Sequence, residues 1–215
     1  MTDSAPKKET QFMVHQWGPC LAQLKVHDGF IKQLMSLAKS SNTPHNKHLA
    51  GIIDKEVSLN KELVIPNLTP YIAGYNQVYE QYTGVKQDPP PQYLLLSAWA
   101  NFQKQHEINP PHDHNGELSF VIYLDIPDEL KEENKKFKGR HAGPGSIQFL
   151  YGEGNQQYIT HRSMFPEVGD MFIFPASLKH WVIPFKSDVV RVSVSGNVDR
   201  VNKWEAKPFE NKGEK

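Results

Sequence analysis

The chain of 215 residues has one cysteine, Cys20, so an internal disulfide is impossible. That fits a reducing compartment, and the apolar surroundings Gly18-Pro19-Cys20-Leu21 suit a small buried residue. No apolar run reaches the roughly 18 residues that a membrane-crossing helix needs. Met1 to Thr10 is too polar for a secretion signal, so a soluble, cytoplasmic protein with no membrane partner is expected. Charge of one sign is missing too: Lys+Arg and Asp+Glu both number 24. Without a net field, recruitment of nucleic acid is disfavoured. Gly152-Glu153-Gly154-Asn155 has glycines but no Lys-Ser/Thr ending and no following helix, which makes it a turn and not a phosphate loop.

With 38% hydrophobic residues and 11% aromatics the chain can bury a core. Its length suits one large domain, or a domain with an extension. Residues 1–10 read as a disordered leader. Phe12 to Val26 holds two strand-like pieces broken by Gly18-Pro19. Asp28 is the expected cap of a helix from Gly29 to about Lys39, with Phe30, Leu34 and Leu37 inward. Thr69-Pro70 reads as the start of a second helix running to about Tyr82, with Ile72, Tyr75, Val78 and Tyr79 as core and Gly84 as its stop. Three successive prolines near residue 90 mark a boundary. The expected organisation is a strand and helix support region over 11–91, a β core over 92–200 and a polar tail over 201–215 anchored by Trp204.

From Tyr93 onward short strands alternate with Gly, Pro and Asn turns, and no long helix intervenes, which implies an all-β barrel or sandwich. Tyr93 to Gln103 alternates, with Leu95, Ser97, Trp99, Asn101 and Gln103 on one side and Leu94, Leu96, Ala98 and Ala100 on the other. Asn101 is placed to face a site. The charged stretch 125–140 reads as a solvated loop or short helix, with a mobile lid as the functional alternative.

The most informative stretch is His112-Asp113-His114, set among turn formers ahead of the apolar run Phe120 to Leu124. In an extended chain, residues two apart share a face, so the two imidazoles can aim at one point as half a metal site. His180 follows the stretch Glu167 to Pro175, which reads as a turn and a buried strand. Eleven residues beyond it, Arg191 shares one face of an alternating strand with Ser193 and Ser195, while valines occupy the other. A guanidinium in such a recess suits a carboxylate, which it binds through a planar fork of donors.

This ordered set, His-x-His, a distal His and Arg-x-Ser, resembles the Fe(II)/2-oxoglutarate-dependent oxygenases. The likeness is greatest to the prolyl-hydroxylase-like branch and its small bacterial and phage-type members, over roughly residues 93–200. It implies a mainly β fold with N-terminal helices, a double-stranded β-helix (jelly roll, cupin-like). It implies Fe(II) on His112, His114 and His180, 2-oxoglutarate anchored by Arg191 with Ser193, Tyr123 and Asn101, and O2 as oxidant. The implied reaction hydroxylates a small-molecule or peptide substrate, such as a prolyl side chain, and releases succinate and CO2.

The usual motif is His-x-Asp or His-x-Glu, and here His114 stands in the carboxylate's place. An alternative takes His114 as first ligand, Gly116 as a vacant position and Glu117 as an oxygen donor across a bulge. Phe120, Ile122, Phe172, Phe174 and Trp181 are candidate walls, His161 and Arg162 candidate substrate contacts, and His48 a structural residue before the barrel. Two rival functions are a non-catalytic jelly-roll module and a cupin-type three-histidine dioxygenase that needs no keto acid.

Overall fold

The computed structural model describes residues 12–16, 18–46, 51–140, 142–152 and 161–201. The expectations for the leader, for His48, for the turn beyond Gly152 and for the tail from residue 202 fall outside them. Ten strands and three helices follow in the order β1 (Phe12–Gln16), β2 (Cys20–Lys25), α1 (Asp28–Ser40), β3 (Glu56–Ser58), α2 (Lys61–Thr83), β4 (Tyr93–Gln103), β5 (Leu118–Asp125), α3 (Asp128–Lys136), β6 (Ile147–Leu150), β7 (His161–Met164), β8 (Asp170–Pro175), β9 (Lys179–Val182) and β10 (Arg191–Arg200).

A seven-stranded sheet in the order β1-β2-β8-β5-β10-β4-β3 faces a three-stranded sheet, β7-β6-β9, and every pairing is antiparallel. The major sheet is buried on both sides, which explains why β5 and β8 read as nearly unbroken apolar runs. Its outer face (Phe120, Ile122, Met171, Ile173, Val192 and Val194) packs against Phe30 and Leu34 of α1 and Leu68, Ile72 and Tyr75 of α2. Its inner face sends Val121, Tyr123, Phe172 and Phe174 toward Ile147 and Phe149 of the minor sheet. Two sheets closed over one core, with helices bracing the larger, make the double-stranded β-helix. The N-terminal strands extend the major sheet itself, continuing it across residues 91 and 92.

Three local expectations change. The cap of α1 is His27, whose Nδ1 accepts from the Phe30 N–H at 3.0 Å; Asp28 sits inside the first turn, where its charge suits the helix dipole. Helix α2 begins at Lys61, capped by Asn60, and runs through Pro66 and Pro70. Each interior proline costs about 3 kcal/mol. Full burial of Val64 and Leu68 offsets this by about 1.5–3 kcal/mol apiece, so tertiary packing overrides the local breaker.

In β4, the register against β10 shifts between Asn197 and Val198, leaving Leu96 as an extra residue. The bulge turns Leu95 onto the outer face with Ala98 and Ala100, away from Trp99 and Asn101. The charged stretch contains α3, which is docked. Leu130 is fully buried, and Glu133 accepts from the backbone N–H groups of Lys186 and Ser187 at 2.8–3.1 Å.

Candidate metal centre and co-substrate cleft

Residues 108–117 cross from the major sheet to the minor one before entering β5. Ile52 bridges Ile108, and the backbones of His112 and His180 exchange both hydrogen bonds, at 3.1 and 2.9 Å. That antiparallel bridge lays His112 beside β9 and places the two rings 4.6 Å apart, centroid to centroid. The His114 N–H donates to the Ala176 carbonyl at 2.9 Å, which turns its ring toward the same point, 4.9 Å from His112 and 5.1 Å from His180. One ring nitrogen from each histidine lies within 4.8 Å of the others, the one such cluster of metal-binding side chains among the described residues.

The chemistry of these nitrogens follows from their neighbours. Nδ1 of His112 lies 2.6 Å from the Pro110 carbonyl, and Nδ1 of His180 lies 2.9 Å from the Leu178 carbonyl. A carbonyl only accepts, so each Nδ1 holds the proton and each Nε2 presents a lone pair, the tautomer a metal requires. Burial, reinforced by the neighbouring His112, lowers His114 to about 4 and His180 to about 3. Both are neutral at pH 7 and able to coordinate.

A cleft of about 610 Å³, counting its open mouth, runs from the histidines over the inner face of the major sheet. Strand register sets its floor. Ser193 of β10 lies between Asn101 and Tyr123, Ser195 between Trp99 and Val121, and Arg191 opposite Gln103. Arg191 is 3% exposed; one Nη donates to the Gly145 carbonyl at 3.1 Å, and the guanidinium lies 5.3 Å from the Tyr123 ring centre. Among the described residues no carboxylate pairs with it. Its Nε and the Tyr123 hydroxyl have no hydrogen-bond partner. Burial pushes Tyr123 up to about 12, so the hydroxyl remains a donor at neutral pH. Two unpaired donors beside a buried cation form a site that a carboxylate satisfies, each unpaired donor otherwise costing about 1–3 kcal/mol.

The seven residues expected to hold metal and co-substrate thus come together: His112, His114, His180, Asn101, Tyr123, Arg191 and Ser193 all line the cleft. Of the candidate walls, Phe120, Phe174 and Trp181 border it, whereas Ile122 and Phe172 are packed in the two cores. His161 and Arg162 of β7 do not line the cleft. Glu117 is paired with Arg200 at 3.1 Å, which engages the carboxylate that the alternative ligand set would need. Sequence reasoning passed over Trp99, Gln103 and Asn109 as cleft residues, although the alternation of β4 had already put Trp99 and Gln103 on the face of Asn101.

Residues 97–197, a little under half of the chain, match the model of the family described as "Putative 2OG-Fe(II) oxygenase". No curated protein matches the chain. Among solved structures it is similar to an oxidoreductase of the 2OG-Fe(II) oxygenase family from Burkholderia pseudomallei (14% identity, TM-score 0.51), over 83% of this chain and 84% of that one. It is similar to HygX from Streptomyces hygroscopicus, solved with nickel, 2-oxoglutarate and hygromycin B (10%, TM-score 0.53, 84% and 83% covered). It is similar also to a prolyl hydroxylase from Trichoplax adhaerens in complex with a hypoxia inducible factor peptide fragment (9%, TM-score 0.52, 86% and 84% covered). At such identities these structures speak for the fold, and the family match speaks for the activity. Over residues 97–197 this chain thus matches the family model of the 2OG-Fe(II) oxygenases, enzymes that use Fe(II), 2-oxoglutarate and O2, and it shares the fold of their solved structures.

Proposed function

We propose that His112, His114 and His180 are the iron ligands and that Arg191 receives the far carboxylate of 2-oxoglutarate. Tyr123, Ser193 and Asn101 complete that pocket. The observation that carries the reading is a buried guanidinium with a free Nε, no acid partner among the described residues and an unpaired tyrosine hydroxyl beside it. The histidines fit the metal because two hold their protons on carbonyls and two are kept neutral by burial.

When bound, iron with 2-oxoglutarate and O2 supplies the oxidising chemistry: the keto acid leaves as succinate and CO2, and one oxygen atom enters a substrate C–H bond. The chain's own part is placement. Arg191 and Tyr123 hold one end of the co-substrate, Phe174 packs its ring 4.7 Å from that of His180 at the other, and Ile53, Trp181 and Val182 line the cleft with apolar surface. A small molecule or a peptide side chain is the substrate class that this surface supports, hydroxylation being the outcome.

A second reading, a three-histidine dioxygenase without a keto acid, is favoured by His114 standing where a carboxylate is usual. Succinate formation measured with and without iron separates the two. The first reading expects iron-dependent conversion of 2-oxoglutarate, slow without substrate. Oxygen uptake that ignores 2-oxoglutarate would favour the second. Iron-loaded protein that consumes neither would leave a binding module.

A further inference from the structure

We propose that Trp99, braced by His45, is the positioning residue for His114, the one histidine of the three whose ring is held by packing alone. This rests on the ligand assignment above. Outer-shell partners of metal-binding histidines are normally hydrogen-bond acceptors that fix ring and tautomer together. His112 and His180 obey that rule, each through the carbonyl two residues before it. His114 does not: among the described residues neither of its ring nitrogens has a hydrogen-bond partner.

What His114 has is an aromatic wall. Trp99 is 3% exposed on the inner face of β4 and meets the His114 ring at 63° with centroids 5.5 Å apart. His45 stacks on Trp99 at 4.8 Å, 9° from parallel. His45 is itself held: its N–H donates to the Glu56 carbonyl at 2.9 Å, and its Nδ1 lies 2.9 Å from the Ser58 hydroxyl. A chain of contacts therefore runs from edge strand β3 through His45 and Trp99 to His114. It gives the segment before the barrel a task that its sequence did not disclose: it buttresses the third ligand. The mode of support also sets a chemical difference. With no acceptor for its remaining N–H, a metal-bound His114 exchanges that proton with water faster than the other two.

The test uses the full chain stripped of metal and titrated with Co(II), read by visible absorption and by the paramagnetically shifted imidazole N–H signals in NMR. The wild type is expected to show three such signals, one of them in fast exchange. Trp99→Leu is expected to weaken Co(II) binding about 10–100-fold and to shift or lose only the fast-exchanging signal. Trp99→Phe is expected to restore most of the affinity. His45→Gln, at a less buried position, is expected to give an intermediate loss should Trp99→Leu fold poorly. If His114→Ala weakens Co(II) binding but Trp99→Leu and His45→Gln both match the wild type, the buttress is wrong and the ligand set stands. If His114→Ala binds Co(II) as tightly as the wild type, the ligand set itself is wrong.

Discussion

At one end of the cleft the three histidines come from a connecting segment and a strand of the minor sheet, while at the other Arg191, Ser193 and Tyr123 are neighbours within the major one. The histidine end exists because the antiparallel bridge from His112 to His180 and the hydrogen bond from His114 to Ala176 fasten the segment before β5 in place. The arginine end is a consequence of register: Ser193 lies between Asn101 and Tyr123, and Arg191 lies two residues further along the same face. At about 3.3 Å per residue, Arg191 lies about 13 Å along β10 from Ser195, beside Trp99 at the histidine end. The two ends should therefore fail independently, one through loss of metal and the other through loss of co-substrate.

The largest effect is expected from His180→Ala, which keeps the backbone bridge but removes one of the three clustered imidazoles. Metal affinity should fall more than the roughly 100-fold typical of outer-shell changes, and succinate formation should vanish with it. Iron content after gel filtration checks this, and retained iron would refute it. Arg191→Gln should leave iron content unchanged and raise the KM for 2-oxoglutarate about 100-fold, the worth of charge-assisted hydrogen bonds of roughly 2–3 kcal/mol. Arg191→Lys should not rescue it, because an ammonium lacks the planar fork.

Acid sharpens the contrast. His114 and His180 are lowered in the fold to about 4 and about 3, so the unfolded chain binds more protons as pH falls below about 6.5. Metal-free protein should lose a few kcal/mol of stability between about pH 6.5 and pH 4, as urea midpoints at successive pH values would show. A flat profile would mean that the histidines are not buried together.

Glu56 acts in the opposite sense at the cleft's edge. It is 2% exposed, opposite Asn101, with one oxygen unpaired; burial, then the nearby Glu107, raises it from 4.5 to about 7. Its neutral form is favoured in the fold, so its contribution is fully present below about pH 4.5 and is lost as pH rises through about 7. Glu56→Gln should therefore stabilise the protein by up to about 3 kcal/mol at pH 8 and change little at pH 4. The smallest effect belongs to Glu133→Ala, which frees the Lys186–Ser187 turn ahead of Arg191. A loss of about 1–2 kcal/mol in thermal or urea unfolding is expected, with the metal centre untouched.

How much of this was legible in the sequence depended on whether the signal was local. The Arg191-Ser193-Ser195 face was read correctly because a strand's two-residue period needs no partner to be seen. The same rule misplaced Leu95, since a bulge at Leu96 depends on the partner strand's register. The expected start of α2 falls nine residues late because prolines are strong local breakers, and only the buried positions of Val64 and Leu68 show why the helix runs through Pro66 and Pro70. Trp99 was seen as one side of a strand; that it presses on His114 could not be seen, for the two are joined only by the fold.

The residues alone determined a β-rich chain, a pair of imidazoles aimed together before β5 and a guanidinium set among serines on one strand face. These are short-range facts of spacing and side-chain chemistry. Tertiary structure alone decided that His180 meets the pair, that β1, β2 and β3 extend the major sheet, and that α3 is clamped by Glu133. Each of those closes a long loop, and a closed loop is stabilised by contacts distant in sequence, which no local period records.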